Sequence, residues 1–388
     1  MTGWAQVTYG EKERGVPELF ETTCINRMTL ASRFVRSATW EGLAGEDGSS
    51  TTRLEELSAE LASGGAGLVI TGHAYVRPEG QSSPWQLGAY SDGLVPGLSA
   101  MVRAAHSSGG MLALQLAHGG CAASEALSGL ESLGPSAPKR DTGQVAREMT
   151  EEDLETVTQA FADAARRALQ AGFDAVQIHA AHGYLLSQFL SPFWNRRTDG
   201  YGGTVERRAR LVLEVVAAVR RVVGSGFPVL IKLNSQDFLP EGLTVEEMLE
   251  TAAMLEDASI DAIELSGGTK FSGMNDFSRL GRPHAGESEA YYEEAAKRYK
   301  KKIRVPLMLV GGIRSYEVAQ RLVSEGLADY VALSRPLIRE PRLVERWRSG
   351  DLRPALCISD NGCRGSAMEG NGIFCVVEAR GKRSRTPA

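Results

Sequence analysis

The chain lacks a long apolar run and a large excess of charge of either sign. No apolar stretch reaches the ~18 to 20 residues of a membrane span, and the N-terminal sequence MTGWAQVTYGEKERG lacks the apolar core of a signal peptide. We therefore expect a cytoplasmic protein that does not span a membrane. The formal net charge of −5 over 388 residues argues against a general nucleic-acid surface, which needs an excess of basic residues.

Cysteine is scarce, and the five cysteines present are an odd number that cannot all pair with one another. Three of them, Cys357, Cys363 and Cys375, lie close together near the C-terminus. This pattern favours intracellular thiol or metal chemistry over a disulfide framework.

A glycine-rich dinucleotide fingerprint is also missing. After the first predicted strand, which ends at Thr39, the sequence continues as WEGLAGEDG. A doubly wound nucleotide-binding sheet would show G-x-G-x-x-G at this point, followed by a helix. Its absence makes that fold the weaker alternative.

The chain does contain a regular alternation of apolar runs of strand length with helical patterns. Strands are predicted at residues 33–39, 67–72, 111–117, 174–179, 228–233, 261–266, 305–311 and 329–334. A helix follows each of them, and runs that are apolar nearly throughout suit parallel strands covered by helices. The sequence thus predicts an α/β protein with a single (β/α)₈ TIM barrel at residues 1–349 and a short cysteine-containing C-terminal tail at 350–388.

Polar groups recur at the predicted C-terminal ends of the strands, where a barrel of this kind places its chemistry. The seventh and eighth strands end in Gly311-Gly312 and Ser334-Arg335. Glycine amides approach an anion closely, and helix N-termini add partial positive charge. These four residues predict a phosphate site, although a Gly-Gly pair also suits a simple tight turn.

Two histidines follow the fourth strand at a spacing of three, His179 and His182, with Tyr184 beside them. They could be half of a metal site, for which Glu264 on the sixth strand is the obvious carboxylate candidate. Two histidines beside a tyrosine fit better as hydrogen-bond donors to a substrate oxygen. A pair of histidines satisfied by the backbone is the structural alternative.

Several segments carry a family resemblance. The sequence IHAAHGYLLSQFLSPFWNRRTDGYGG resembles the signature of the Old Yellow Enzyme family of FMN-dependent oxidoreductases. So do ASRFVRSATWEGLA, LALQLAHGG, LMLVGGIRS and VALSRPLIREP, in the same order along nearly the whole chain. The chain is most similar to the bacterial branch that includes 2,4-dienoyl-CoA reductase.

The resemblance implies an enzyme that moves hydride from NAD(P)H through FMN to an activated C=C bond, as in an α,β-unsaturated carbonyl or an enoyl thioester. His179 and His182 would bind the substrate oxygen, and Tyr184 would donate the proton. The FMN-binding residues would be Ser37, Ala38, Thr39, Gly72, Gln115, Lys232, Gly311, Gly312, Ser334 and Arg335. Lys232 stands where many members have arginine.

Other interpretations stay open. The same scaffold supports flavin-dependent amine demethylases and dehydrogenases. A non-flavin, phosphate-binding aldolase or isomerase would use Lys232 as a Schiff-base amine, and a silent flavin-binding protein would not turn over. His73 would contact the flavin neighbourhood or only pack, and a capping loop is expected around Arg282, His284, Tyr291 and Tyr292.

The tail departs from the iron-sulfur members of this branch. Cys357, Cys363 and Cys375 match three of their four cysteine positions, but Asp360 occupies the second. Four thiolates are the usual ligands of such a cluster, so we expect none. The chain ends at Ala388 without the FAD- and NAD(P)H-binding domains of those members. We expect FMN to be reduced directly by the nicotinamide or by a separate electron-donor protein, and the enzyme to be a homo-oligomer.

Overall fold

The computed structural model describes residues 18–137, 143, 145–281 and 289–383. Eight parallel strands form a closed barrel, so the predicted (β/α)₈ fold is confirmed. The barrel strands are β3 (Phe34–Arg36), β4 (Leu68–Tyr75), β5 (Met111–Ala117), β8 (Ala175–Ala180), β9 (Val229–Asn234), β10 (Ala262–Ser266), β11 (Leu307–Val310) and β12 (Tyr330–Leu333). Each corresponds to one predicted strand.

Helices surround the barrel. They are α1 (Thr52–Ser63), α2 (Val95–Ser107), α3 (Glu125–Ser128), α4 (Glu151–Ala171), α5 (Leu185–Leu190), α6 (Val205–Val223), α7 (Val245–Asp257), α8 (Glu293–Lys302), α9 (Tyr316–Ser324), α10 (Arg335–Arg339), α11 (Leu343–Arg348), α12 (Gly362–Met368) and α13 (Val376–Arg383). No helix in the described part of the chain combines the length and apolarity that crossing a lipid bilayer requires.

Helix α4 shows how the sequence sets these boundaries. Thr150 and Asp153 form the reciprocal capping box that their spacing predicts, and Gly172 ends the helix at φ 93°. Between these caps, Leu154, Val157 and Phe161 face the core and are almost completely buried. The residues at its two ends therefore set where helix α4 begins and ends.

Two apolar layers hold the barrel together. One lies between the strands and the surrounding helices, and every residue of β8 and β9 is buried. The second fills the barrel interior near the N-terminal ends of the strands, where Leu68, Leu230 and Met308 meet. Burial on both faces explains why the strands are apolar nearly throughout.

A hairpin that the sequence did not predict closes this N-terminal end. Strands β1 (Thr23–Ile25) and β2 (Met28–Leu30) pair antiparallel ahead of the barrel. Ile25, Met28 and Leu30 are buried in the same interior cluster as the first residues of the barrel strands. The open end of the barrel is therefore the opposite one, at the C-terminal ends of the strands.

The remaining small elements lie outside the barrel sheet. Strands β6 (Leu133–Gly134) and β7 (Arg147–Glu148) form a two-stranded sheet of their own. Arg197 joins this region to the turn after α5, because it hydrogen-bonds the carbonyl oxygens of Pro135 and Met149 and pairs with Asp199. Arg282 and His284 lie outside the described residues, so the capping-loop interpretation stays a prediction.

Candidate active site

A cleft opens at the C-terminal ends of the barrel strands and encloses about 1370 Å³ of empty space, including the part open to solvent. Its walls come from the strand ends and also from the C-terminal tail. The charged side chains on its described walls are Lys232, Arg314, Arg335 and Arg364, with no carboxylate among them. The cleft thus suits an anionic ligand.

His179 lies at the end of β8 and is almost completely buried. The backbone N–H of Ala181 donates a hydrogen bond to Nδ1 of His179 at 3.4 Å, which leaves the ring proton on Nε2. Burial, followed by the charges of His182, His73 and Lys232, lowers the pKa of His179 well below its usual value. The imidazole is therefore a neutral donor at pH 7.

His182 follows the strand in a left-handed conformation, with φ 64°. Its backbone N–H donates to Oδ1 of Asn234 at 3.1 Å, and its Nε2 lies 2.8 Å from Oγ of Ser266. Burial and the charge of Lys232 also lower the pKa of His182 well below its usual value. Neighbouring strands thus hold the backbone in its uncommon conformation and the ring in its orientation.

Tyr184 completes the predicted trio. Its ring lies 4.9 Å from that of His179 and stacks on that of His73 at 5.2 Å, measured between centroids. Burial raises the pKa of Tyr184, while a hydrogen bond with Ser82 and the charge of Arg364 act in the opposite direction. The phenol stays protonated at neutral pH and can donate its proton.

His73, for which the sequence left open a place near the flavin or a packing role, lies on the cleft wall. Its Nε2 lies 3.2 Å from Oγ of Ser82, which is also the partner of Tyr184. Burial lowers the pKa of His73 to about 4, so it is neutral as well. His118 does not line the cleft: it packs against Gly80, where an added Cβ would lie 2.6 Å from the histidine ring.

Lys232 lies at the bottom of the cleft in a network of hydrogen bonds. Its Nζ lies 2.9 Å from Oε1 of Glu264 and donates to Oγ of Ser37 at 2.9 Å. Gln177 donates to Oε2 of Glu264 at 2.8 Å and accepts from Nε2 of Gln115 at 2.7 Å. Oγ of Ser37 also donates to Oε1 of Glu264 at 2.6 Å. Because Glu264 already has these three partners, it is not free to complete a metal site with the histidines.

The predicted phosphate residues also come together. Gly311 and Gly312 have φ values of 126° and 74°, and a Cβ added to Gly312 would lie 2.4 Å from the ring of Tyr291. Both a left-handed backbone and a close approach therefore require glycine here. Oγ1 of Thr39 lies 2.8 Å from Oγ of Ser334, which joins the first strand end to the last.

Arg335 links this cradle to the tail. Its Nη1 donates to the carbonyl oxygen of Arg279 at 2.7 Å and to Oδ1 of Asn361 at 2.8 Å. Two residues that the sequence interpretation omitted from the site, Arg314 and Trp40, also line the cleft. Nε of Arg314 and Nε1 of Trp40 are buried without a hydrogen-bond partner. The position of Arg314 directly after Gly-Gly-Ile was the available signal.

These features fit FMN. Its phosphate needs cations and closely approaching amides, which Arg314, Arg335 and the two glycines offer, and unpartnered buried donors call for an acceptor. Of the predicted cofactor residues, Gly72 alone does not line the cleft. Its N–H donates to Oε1 of buried Glu41 at 2.9 Å, and its neighbour His73 lines the cleft instead. The assignment of Gly72 to the cofactor stays a prediction.

The three tail cysteines lie beside the cleft. Cys357, Cys363, Cys375 and Asp360 line a smaller cavity with about 360 Å³ of empty space. Burial, then the neighbouring Cys357, raises the pKa of the Cys363 thiol. Within the described residues, no group of three or more histidine, cysteine or acidic side chains is arranged to hold a metal ion. The expectation that no cluster assembles stays a prediction.

Comparison with known proteins identifies the family. The sequence profile of the NADH:flavin oxidoreductase / NADH oxidase family matches residues 18–352. The chain belongs to this family. The chain is 35% identical over 369 residues to an NADH oxidase of Thermoanaerobacter brockii, covering 93% of this chain and 56% of that relative. It is 31% identical to a 4,4'-dithiodibutanoate disulfide reductase of Rhodococcus erythropolis, over 93% of this chain and 95% of the relative.

The fold agrees with this assignment. The structure of an old yellow enzyme homologue from Zymomonas mobilis superposes with a TM-score of 0.76 at 26% identity, over 93% of this chain and 98% of the other. The predicted resemblance to the Old Yellow Enzyme family, with FMN and a nicotinamide coenzyme, is therefore confirmed. The interpretation of Lys232 as the amine of a non-flavin aldolase is wrong.

Proposed function

We propose that this protein is an FMN-dependent ene-reductase that acts on a C=C bond conjugated to a carbonyl or thioester. The supporting observation is that two neutral imidazoles and a neutral phenol meet on one wall of the cleft. Neutral donors stabilise a developing oxyanion without binding the ground-state carbonyl as tightly. A substrate that gains electron density on oxygen therefore fits this wall.

The residues divide the chemistry between them. FMN, when bound here, would supply the hydride, with NAD(P)H as its reductant. His179 and His182 donate hydrogen bonds to the substrate oxygen and draw electron density from the β-carbon. Tyr184 holds the proton that the α-carbon receives, and the raised pKa of its phenol keeps that proton in place until carbanion character develops.

The deeper part of the cleft would hold the cofactor. Lys232 would face the edge of the flavin that becomes negative on reduction, and a cation favours that charge. Gln115 would hydrogen-bond the pyrimidine side, next to Ser37, Ala38 and Thr39. Arg314 and Arg335 would bind the phosphate with Gly311, Gly312 and Ser334.

The retained histidine pair favours an acceptor over an amine. An amine that loses hydride develops positive charge, and hydrogen-bond donors do not stabilise a cation. On this cleft wall the described side chains offer donors and cations and no carboxylate. Reduction of an oxygen-bearing acceptor is thus the direction that the electrostatics favour.

Anaerobic titration followed by reoxidation tests the proposal. We expect a yellow protein that NADH or NADPH bleaches and that an enone or enoyl-CoA ester reoxidises within seconds. Amines and disulfides run beside the alkenes as rival substrates. If the reduced protein reacts with a disulfide or the oxidised protein with an amine, while every activated alkene leaves the spectrum unchanged, the ene-reductase proposal is wrong.

A further inference from the structure

The four positively charged side chains of the cleft differ in their hydrogen-bond partners. Lys232 pairs with Glu264, and Arg335 binds Asn361 and a backbone carbonyl. Arg314 donates to the carbonyl oxygen of Cys357 and to Oγ of Ser359. Arg364 differs, because within the described residues its guanidinium has only an aromatic neighbour, Phe277, at 6.0 Å from the ring centroid.

The cofactor accounts for three of these charges. The phosphate of FMN would take Arg314 and Arg335, and the reduced ring would take Lys232. Arg364 lies on α12, which packs over the mouth of the cleft, and its side chain is exposed there. Among the described residues, no carboxylate binds the guanidinium of Arg364, and its planar fork suits a carboxylate or a phosphate.

The surroundings of Arg364 connect it with the substrate side. Phe277, the aromatic neighbour of Arg364, stacks on His182 with ring centroids 4.8 Å apart. The charge of Arg364 also acts on Tyr184 and favours the ionised phenol. Arg364 therefore lies near both the oxygen-binding histidine and the proposed proton donor.

We propose that Arg364 binds an anionic group of the oxidising substrate, so that the acceptor is an activated alkene that carries a carboxylate or a phosphate. The inference rests on the proposed ene-reductase function and adds a substrate class to it. The same chemistry could come from the pyrophosphate or 2′-phosphate of the nicotinamide donor. Proximity to Tyr184 and His182, which act on the acceptor, favours the oxidant.

The test compares two acceptors that differ in one charge. The probes are 4-(3-oxobut-1-enyl)benzoate and its methyl ester, each mixed with anaerobically reduced holoenzyme in a stopped-flow instrument. For Arg364→Gln, the second-order rate constant of flavin reoxidation should fall about 10- to 100-fold with the acid, as for a lost hydrogen bond between charged groups. It should stay within about threefold with the ester, which has no charge to pair.

Three controls separate binding from folding and from the donor. Arg364→Lys keeps the charge and should recover most of the rate with the acid. Arg103→Gln removes an exposed arginine on α2, away from the cleft, and should change neither probe. The apparent Kd values of NADH and NADPH for flavin reduction should be the same in wild type and Arg364→Gln.

A readout without turnover completes the design. Calorimetry with the oxidised holoenzyme measures the affinity of the saturated acid 4-(3-oxobutyl)benzoate, which should weaken by the same factor in Arg364→Gln. Equal losses with acid and ester, or a loss confined to the nicotinamide, would overturn the assignment of Arg364. If neither probe reoxidises the wild-type flavin, the ene-reductase proposal fails, while the calorimetry still decides whether Arg364 binds the anion.

Discussion

The two walls of the cleft are built differently. The barrel wall consists of the strand ends and their loops, among them His179, Tyr184 and Lys232, and neighbouring strands hold several of its polar side chains, as Glu264 holds Lys232. In the described part of the chain, the tail wall consists of six residues that follow α11, namely Ser359, Asn361, Cys363, Arg364, Met368 and Ile373. It is joined to the barrel by a few contacts, such as those of Asn361 with Arg335 and of Ser359 with Arg314.

This difference in construction suggests different roles for the two walls, the chemical step for the barrel wall and the choice of substrate for the tail wall. A side chain on the barrel wall keeps its position because its strand is hydrogen-bonded on both sides. For His182 and Lys232, a residue of another barrel strand also binds a polar atom of the side chain. A side chain on the short α12 can change without disturbing the barrel. We therefore expect substitutions on the barrel wall to reduce the chemical step, and substitutions on the tail wall to change which substrates are accepted.

Tyr184→Phe should have the largest effect, because it removes only the hydroxyl of the proposed proton donor. Reoxidation of the reduced enzyme by an enone should slow by about 10²- to 10⁴-fold, the usual contribution of a positioned acid. Flavin reduction by NAD(P)H should be unchanged, and stopped-flow absorbance measures both steps. Tyr90→Phe, outside the cleft, is the matched control. Comparable slowing of flavin reduction would contradict the role in proton donation.

A fall in pH should affect stability through the barrel wall, because residues 350–388 of the tail contain no histidine. The pKa of His73 is about 4 in the folded protein and near 6.5 when exposed, so the unfolded state binds more protons between these values. His73 therefore lowers stability progressively as the pH falls from about 6.5 to 4, by roughly 3 kcal/mol in all. Urea unfolding across this range should show a shallower pH dependence for His73→Gln; an unchanged slope would exclude His73 as the source.

Arg335 and Asn361 allow the two walls to be compared at one hydrogen bond. Arg335→Leu removes a proposed phosphate ligand and should raise the Kd of FMN about 10- to 100-fold. Asn361→Ala keeps the guanidinium of Arg335 but frees it from the tail, and it also removes the hydrogen bond from Nδ2 of Asn361 to the carbonyl oxygen of Ser278 at 2.5 Å, so it should raise this Kd only about fivefold. Fluorescence titration of the apoprotein with FMN measures both. Asn26→Gly, at the closed end of the barrel, is the control, and equal effects of the two cleft variants would remove the distinction.

The cysteines beside the tail wall should have the smallest effect. The triple variant Cys357→Ser, Cys363→Ser, Cys375→Ser should keep the flavin spectrum and the rate of reoxidation, since Asp360 replaces the fourth thiolate that a cluster needs. Metal and acid-labile sulfide analysis of anaerobically purified wild type checks this directly. Iron and sulfide in the amounts of a [4Fe–4S] cluster, lost in the triple variant, would contradict the expectation.

Most of the barrel was predictable from the sequence, because each strand is an apolar run between a turn and a helix. The capping box at Thr150 and the left-handed Gly172 were also readable, since both depend on neighbouring residues. The hairpin at Ile25 and Met28 was not, because three-residue strands carry no periodicity. Its burial depends on a barrel that forms from residues far along the chain.

The residues of the candidate site also divide into those that could be predicted from the sequence and those that could not. His179, His182 and Tyr184 could be placed because they follow one strand. Gly72 was assigned to the cleft because it ends a predicted strand, whereas β4 continues to Tyr75 and brings His73 to the wall. Arg364 carried no signal at all, because its position depends on how the tail folds back over the barrel. Contacts between distant segments are what periodicity and motifs leave out.

The hairpin that closes the N-terminal end has a kinetic consequence. Since Ile25, Met28 and Leu30 fill that end, the described residues leave the cleft open at the opposite mouth, where a bound flavin would be reached. In the proposed ene-reductase, the nicotinamide and the alkene would share this mouth and bind in turn, so double-reciprocal plots at several donor concentrations should be parallel lines. Excess donor should also compete with the acceptor for the reduced enzyme, and the rate should fall at high NAD(P)H unless the acceptor concentration is raised with it.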